Sequence, residues 1–201
     1  MVFPEIATIL SGIAGFVMFF NRNPKRNPPK LNDIVVSPAD GKLCKPFKVS
    51  SISKLFGATS NSIKKLDKDG PHMVIPINLS LMDVHVTRSP CRAKVIDVIH
   101  QKGRFLPAIC KSALEKNQRN IIVMKSKGVY FAVVQSTGAL ARRVRCWVAP
   151  GESVATGQTI GRILLGSNTS LIIPVKHFRY SEPYHKRVRA GETIIGVIKK
   201  G

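Results

Sequence analysis

The sequence predicts a mainly β domain of the α+β class, built as a barrel or sandwich of many short strands and a few short helices. An apolar helix precedes it. From Leu31 onward, short runs rich in Val and Ile alternate with Gly, Pro, Asn and Ser, and helical patterns are few. This pattern favours a barrel or sandwich over a sheet of βαβ units. The 201 residues, 44% of them apolar, suit one domain with a tail.

The first element is an apolar segment, residues 2–20, which carries no charge from Ile6 to Phe20. As a helix rising about 1.5 Å per residue, it reaches roughly the thickness of a hydrocarbon core. The segment is therefore expected to anchor the protein to the cell membrane, either spanning or re-entrant. A buried core helix is the alternative.

A basic, proline-rich stretch follows directly, and it contains Arg22, Lys25, Arg26 and Lys30. Basic residues beside an apolar segment stay on the cytoplasmic side, so the folded body is expected there. This stretch is predicted to be a stiff, solvated linker at the membrane surface. We therefore predict a membrane-anchoring segment and linker over 1–30 and a folded domain over 31–201.

The folded part contains ten runs that predict strands. They lie at 34–36, 43–49, 73–79, 93–100, 120–126, 129–136, 143–149, 159–165, 170–175 and 193–199. Apolar residues at helical spacing predict one helix over 106–117, and a second short helix is expected near 137–142.

One internal repeat is visible, because VATGQTIGRI at 154–163 resembles VRAGETIIGVI at 188–198. A Gly at a turn followed by an apolar strand is typical of hairpins, and the pattern resembles the swollen hairpins of lipoyl and biotinyl carriers. Those carriers present a lysine, whereas the element between the two repeats here carries Gly166-Ser167-Asn168. Two merely similar hairpins are the alternative interpretation.

The charge is strongly basic: 32 Lys and Arg against 11 Asp and Glu give a formal net charge of +21. Such a field attracts nucleic acid, anionic lipid surfaces or acidic substrates without choosing among them. There is no run of five or more basic residues and no aromatic-basic motif, so nucleic acid is not the expected partner.

The cysteines do not predict a metal site. Cys44, Cys91, Cys110 and Cys146 are dispersed and form no CxxC or CxH spacing, whereas structural zinc needs clustered ligands. We expect no metal, and we expect small buried thiols in a reducing compartment.

Two motifs are candidates for chemistry. SPADGK (37–42) has the composition of a turn, in which Asp40 either accepts backbone N–H groups or does chemistry. In LMDVHVTRSP (81–90), strand alternation would place Asp83, His85 and Thr87 on one face, where a carboxylate and an imidazole can share a proton path or a substrate. No GxSxG, P-loop, GxGxxG or HExxH motif is present.

Taken together, these segments resemble the short type of phosphatidylserine decarboxylase proenzymes, a group that includes archaetidylserine decarboxylase-like proteins. The resemblance runs from about Phe19 to the C-terminus. Six segments carry it in order: FFNRNPKRNPP, SPADGK, LSLMDVHVTRSP, LEKNQRN, QSTGALARRVRCWV and GRILLGSNTSLIIP.

The resemblance implies a self-processing enzyme, that is, a zymogen. The chain is expected to break between Gly166 and Ser167, giving a large chain 1–166 and a small chain 167–201 that stay together as a heterodimer. Ser167 would become a pyruvoyl group that forms a Schiff base with the substrate amine, which removes the need for pyridoxal phosphate or a metal. Whether a higher oligomer forms stays open.

The resemblance also suggests roles for other residues. Ser167 needs a base from elsewhere in the fold, and His85 and Asp40 are both candidates. The family's long type has two histidines three apart in this region, and the second position here is Arg88. Arg88 is expected to bind the substrate phosphate or carboxylate, and Asp83 either orients His85 or is structural.

The implied function is a pyruvoyl-dependent carboxy-lyase of phospholipid biosynthesis that converts phosphatidylserine to phosphatidylethanolamine at an anionic membrane surface. The same chemistry on the ether lipid archaetidylserine is the alternative. Two other classes remain: a non-enzymatic carrier or scaffold built on the hairpin repeat, which predicts no chain break, and a basic nucleic-acid-binding protein, which predicts steep salt dependence.

Overall fold

The structure, a computed structural model, describes residues 3–57, 60–106, 115–138, 143–164 and 168–199, with only the backbone at residues 3 and 4. The described helices are α1 (Phe3–Phe20), α2 (Ile52–Phe56) and α3 (Asn61–Asp67), with a 3-10 turn at Val175–His177. The described strands are β1 (Ile34–Val36), β2 (Gly41–Leu43), β3 (Phe47–Val49), β4 (His72–Asn78), β5 (Val86–Arg88), β6 (Ala93–Gln101), β7 (Arg119–Ser126), β8 (Val129–Ser136), β9 (Val144–Cys146), β10 (Ser153–Val154), β11 (Thr159–Ile163), β12 (Asn168–Pro174), β13 (Phe178–Tyr180), β14 (Arg187–Val188) and β15 (Ile194–Ile198).

The predicted mainly β class with few helices is confirmed, and several boundaries differ. The predicted strand 43–49 is two strands, because Pro46 lies between β2 and β3 and has no N–H for a sheet ladder. The predicted helix over 106–117 and the one near 137–142 fall largely on residues outside the described ranges.

Two short helices were missed by the sequence analysis. The hydroxyl of Ser51 accepts from the Lys54 N–H at the start of α2, and Ser60 does the same for Ile63 at the start of α3. Serine caps of this kind were the available signal, but each helix is too short for a clear helical period.

The largest sheet has nine strands and curls into a half-barrel. Its order is β10-β6-β7-β8-β12-β4-β2-β14, and β3 also pairs with β4. Strand β12 lies between β8 and β4 and is buried along its whole length. The main core covers one face of this sheet, and α2 and α3 pack a second cluster against it.

Two small sheets, β1-β15-β13 and β5-β11-β9, complete a two-fold pattern. Strands β1 and β2 pair with β15 and β14, while β5 and β6 pair with β11 and β10. The V-x-x-G-x-T-I repeat read from the sequence therefore supplies corresponding strands of two similar halves.

A second repeat, at Ser37 and Ser89, was missed by the sequence analysis. The Ser37 hydroxyl donates to the Ala39 carbonyl at 2.7 Å, and the Ser89 hydroxyl donates to the Cys91 carbonyl at 2.7 Å. The two Ser-Pro turns also exchange bonds, since Val36 N donates to Pro90 O and Arg88 N donates to Pro38 O. SPADGK is therefore one member of a structural pair, with SPCRAK as the other.

The two glycine turns of the repeats meet each other. Gly157 and Gly191 have φ of 74° and 77°, in the left-handed region that favours glycine. A Cβ on Gly191 would lie 3.1 Å from the Gly157 Cα, and a Cβ on Gly157 would lie 2.4 Å from the Pro28 Cγ. The chain after α1 therefore passes directly over the junction of the two halves.

Helix α1 projects from the body. Every residue from Glu5 to Phe19 is exposed, and Phe20 is buried with 5% of its surface accessible. The alternative of a buried core helix is therefore wrong for this segment. Among the residues that the structure describes, no helix is long and apolar enough to cross a bilayer.

Candidate active site

Gly166 and Ser167 lie outside the described residues, but both flanks of their segment are fixed. On one side, Ile163 N donates to the His85 carbonyl at 3.0 Å, and Leu164 N donates to Arg143. On the other side, Asn168 starts β12 in register with Asn78 of β4 and Ser136 of β8. The described flanks of the predicted cleavage site therefore lie beside His85 on one side and at the centre of the large sheet on the other.

His85 is fully buried and has one free ring nitrogen. Its Nδ1 lies 2.9 Å from the Asp83 carbonyl oxygen, which can only accept, so Nδ1 carries the proton in the neutral ring. Nε2 is then an acceptor, and it has no partner among the described residues. Burial lowers the pKa of His85 below its ordinary value, despite the favourable effect of Asp83, and the charges of Arg22 and Arg162 lower it further. The result is a neutral imidazole that can take up a proton at Nε2.

Phe20 covers the His85 ring. The two ring centroids lie 4.4 Å apart with an interplanar angle of 38°. The last residue of α1 therefore helps to exclude water from the imidazole. The sequence analysis did not assign Phe20 a role, because no local pattern in the apolar segment points to His85.

Asp83 supports His85 through its backbone. Its carboxylate accepts from the Ser80 N–H at 2.8 Å and the Ser80 hydroxyl at 2.7 Å, and it also binds Arg187. The predicted single strand face with Asp83, His85 and Thr87 is wrong. Strand β5 begins only at Val86, because the turn closed by Ser80 and Asp83 precedes it.

Asp40 is held by two donors. Its Oδ1 accepts from the Ala190 N–H at 2.6 Å, and its Oδ2 accepts from Arg26 at 2.7 Å. Arg26 also donates to Glu192 at 3.3 Å. Arg26 keeps 8% of its side chain exposed, so the predicted solvated linker is wrong at this residue, because its guanidinium pairs with the buried carboxylate of Asp40 and the half-buried one of Glu192.

The Arg88 guanidinium also forms hydrogen bonds with groups of the protein itself. It donates to the Gly157 carbonyl at 2.9 Å, to the Asn23 side chain at 2.6 Å and to the Pro24 carbonyl at 3.0 Å. Desolvation lowers its pKa, and the charge of Arg26 lowers it further. Arg88 therefore ties the chain after α1 to the turn at Gly157.

Residues 20–28, here called the strap, connect two clusters. Phe20 packs on the His85 ring, and the charge of Arg22 lowers the pKa of His85. Asn23 and Pro24 accept hydrogen bonds from Arg88. Arg26 forms an ion pair with Asp40. The structure thus brings the predicted side chains of His85, Arg88 and Asp40 beside one segment, although His85 and Asp40 have separate partners.

Polar side chains that the sequence analysis missed flank the cleavage segment. The hydroxyls of Ser136 and Thr169 are buried without a partner among the described residues. Asn168 donates to the Asn78 side chain at 2.6 Å, and its own oxygen accepts from Ser170 at 2.9 Å. Only the pairing of β4, β8 and β12 brings these residues together.

The described residues contain no group of three or more His, Cys, Asp or Glu side chains that could hold a metal ion. Cys91 is buried, and burial raises the pKa of its thiol to about 12. Cys44 and Cys146 are half-buried free thiols, and Cys110 lies outside the described ranges.

Comparison with known proteins gives a consistent result. The family model described as phosphatidylserine decarboxylase matches residues 13–196. A phosphatidylserine decarboxylase proenzyme of Carboxydothermus hydrogenoformans is 38% identical over 184 residues, covering 92% of this chain and 80% of that protein. A protein of Methanocaldococcus jannaschii named as an archaetidylserine decarboxylase proenzyme is 36% identical, covering 90% of this chain and 89% of that protein.

The matches define a decarboxylase, that is, a carboxy-lyase. More particularly, the chain belongs to the phosphatidylserine decarboxylase family.

Proposed function

We propose that this chain is the precursor of a pyruvoyl-dependent decarboxylase that converts phosphatidylserine to phosphatidylethanolamine at the cell membrane, with its body on the cytoplasmic side. Within the family assignment, one observation carries the proposal. His85 is buried and neutral, has a free Nε2, and its backbone is bonded to Ile163, four residues before Ser167.

In maturation, Ser167 Oγ attacks the Gly166 carbonyl carbon and converts the peptide bond to an ester. Loss of the Ser167 α-proton then breaks the Cβ–O bond and releases the chain 1–166 as a carboxylate. Water converts the remaining enamine to a ketone and ammonia. Serine is required because its oxygen both attacks and leaves, and Gly166 leaves the carbonyl open and tolerates strained backbone.

His85 is the favoured base for the first step. Four residues of extended chain span at most about 14 Å, so the hydrogen bond between Ile163 and the His85 carbonyl supports a role for His85 on Ser167. Asp40 is less suited, because both of its oxygens already accept hydrogen bonds. His85 therefore takes the Ser167 proton at Nε2.

The residues present fit a pyruvoyl group derived from Ser167. Nε2 of His85 and the hydroxyls of Ser136 and Thr169, which have no partner in the part of the chain that the structure describes, provide polar groups for it. When bound at position 167, the group supplies the electron sink that decarboxylation of an amino acid requires. His85, once protonated, returns a proton to the substrate Cα after carbon dioxide has left.

We propose less direct roles for Arg88 and Asp83 than for His85. Both are bonded to groups of the protein itself, so binding a phosphate or carboxylate would require Arg88 to exchange its bonds with Asn23 and Pro24. Asp83 orients His85 through its carbonyl.

Denatured mass measurement of the purified protein tests the proposal. We expect two chains, 1–166 and 167–201, with the smaller chain lacking a free α-amine. The Ser167→Ala variant should remain one chain and show no decarboxylation. Cleavage and turnover by this variant would show that Ser167 is the wrong residue. An intact natively folded wild-type chain that decarboxylates would contradict the pyruvoyl mechanism.

Archaetidylserine is a second candidate substrate, because the named relative from Methanocaldococcus jannaschii is nearly as similar as the first one. The two lipids share the serine headgroup on which the proposed residues act. Parallel assays with matched ester-linked and ether-linked lipids would decide between them.

A further inference from the structure

Four large apolar side chains are exposed where α1 joins the body. The exposed fractions are 38% for Phe19, 43% for Leu81, 64% for Met82 and 46% for Trp147. A contiguous exposed apolar patch of this kind marks an interaction surface, whereas single exposed apolar residues do not.

Contacts to two arginines show that these side chains lie around one point. The Arg22 guanidinium lies 3.8 Å from the centroid of the Phe19 ring and donates to the Met82 carbonyl. Arg162 donates to both the side chain and the carbonyl of Asn21 at 2.7 Å, and it lies 5.9 Å from the centroid of the Trp147 ring. The strap therefore links Trp147 on one side to Met82 on the other.

The same surface carries positive charge that lacks a counter-charge. Arg145 of β9 stands directly opposite Arg162 of β11, and like charges in this position destabilise a sheet. Desolvation, and then the charge of Arg145, lower the pKa of Arg162. Within the described residues, no carboxylate forms an ion pair with either arginine. An external anion would relieve this repulsion.

The apolar helix α1 joins the body at this point. A bilayer that binds α1 must therefore lie close to these residues. Tryptophan and arginine both suit the boundary between lipid tails and headgroups, because each combines an apolar part with a polar one. A bilayer that contains anionic phospholipid supplies both the apolar layer and the missing negative charge.

We propose that Phe19, Leu81, Met82 and Trp147, together with Arg22, Arg145 and Arg162, form a docking face that lies on an anionic phospholipid bilayer, with the Trp147 ring in the headgroup layer. This proposal rests on the proposed function, and it adds the surface that presents the site to its lipid. Phe20, whose ring covers His85, directly follows Phe19 of the docking face, so His85 lies close to this face.

Trp147 is the only tryptophan in the chain, so its fluorescence reports on the docking face directly. The full-length protein is mixed with vesicles of phosphatidylcholine alone or of phosphatidylcholine with phosphatidylglycerol, neither of which is a substrate. With the anionic vesicles, we expect a blue shift of the emission and quenching by lipids brominated on the acyl chains. Vesicle-bound protein whose emission stays as in water would show that α1 binds alone, and would overturn the proposal.

Matched variants extend the test, with folding checked by circular dichroism. The double change Leu81→Ser and Met82→Ser is expected to weaken binding to anionic vesicles about tenfold. The single change Arg145→Gln should weaken it about fivefold. The control Leu31→Ser changes a residue that is 63% exposed but outside the docking face, and it should bind like wild type. Equal losses in the control and the double variant would overturn the proposal.

Other partners are separate outcomes of the same measurement. A blue shift with duplex DNA but not with anionic vesicles, or a concentration-dependent shift from self-association without vesicles, would overturn the proposal. Failure of the docking face is distinguishable from failure of the proposed function, because vesicle binding needs no turnover. Decarboxylation of a soluble short-chain phosphatidylserine by the wild-type protein tests the activity without a bilayer.

Discussion

At the scale of single residues, the side chains of His85 and Asp40 differ in whether an acceptor atom lacks a hydrogen-bond partner among the described residues. Nε2 of His85 is an unpartnered acceptor among the described residues, whereas both oxygens of Asp40 are bonded. We expect His85→Gln to slow cleavage of the refolded precursor by at least about a hundredfold, in the range typical of lost acid-base catalysis. Electrophoresis over time measures the rate.

The matched variant Asp40→Asn retains the shape of the carboxylate and part of its hydrogen bonding. We expect it to lower the stability of the protein more than its cleavage rate, because it weakens the bond to Arg26. If Asp40→Asn blocked cleavage in a stably folded protein while His85→Gln did not, the assignment of the base would be reversed.

Phe20 is predicted to control the protonation of His85. Because burial lowers the pKa of His85, its base form persists as the pH falls, and the acid limb of wild-type cleavage should lie below the ordinary value of 6.5. Phe20→Ala lets water reach the ring, so we expect the acid limb to move up toward pH 6.5. The pH profile of the cleavage rate measures this shift.

Phe20→Leu is the control for this prediction, since leucine still covers the imidazole with apolar surface. It should keep an acid limb close to that of wild type. A purely structural role for Phe20 would slow cleavage in both variants without moving the limb, and that outcome would contradict a positioning role.

At the scale of elements, the two glycine turns and the strap form one packed unit. Gly157 has a positive φ and no room for a Cβ beside Pro28, whereas Gly151 has a φ of 96° and open space around it. We expect Gly151→Ala to cost about 1 kcal/mol from backbone strain alone. Gly157→Ala should cost about 1 to 3 kcal/mol more, because Pro28 or the turn must move. Denaturant unfolding of both variants measures the difference.

If Gly157→Ala lowered the free energy of unfolding no more than Gly151→Ala does, the strap would have to move easily at Pro28. That result would contradict a tightly packed strap. It would leave the pairing of the two halves intact, because that pairing depends on strand hydrogen bonds.

At the scale of the whole molecule, the predicted small chain 167–201 contributes strands that pair with strands of the predicted large chain. Strand β12 pairs with β4 along seven residues and with β8 along five. Further along, β14 pairs with β2, and β15 pairs with β1. We therefore expect the cleaved chains to stay together in native buffer as one species and to separate only in denaturant, as measured by size exclusion followed by mass analysis. Separation under native conditions would contradict this prediction.

Much of the candidate site was predictable from the sequence, because its residues lie in short motifs whose spacing is local. The family resemblance carried by these motifs singled out Asp40, His85, Arg88 and the Gly166–Ser167 pair. Phe20 was not, since nothing in an apolar run indicates that its last ring will lie on a histidine 65 positions away. The pairing of the two Ser-Pro turns was also missed, because only their shared hydrogen bonds make the similarity clear.

The sequence by itself determined the mainly β class, the paired glycine turns, the basic charge and the family resemblance. These features depend on composition and on patterns over a few residues, which can be recognised without knowledge of the fold. Tertiary structure alone decided the tautomer of His85, the burial of Arg88 and of the Arg26 side chain, and the opposition of Arg145 and Arg162. Each of these depends on contacts between distant parts of the chain, which exist only after the strands have paired and water has been excluded.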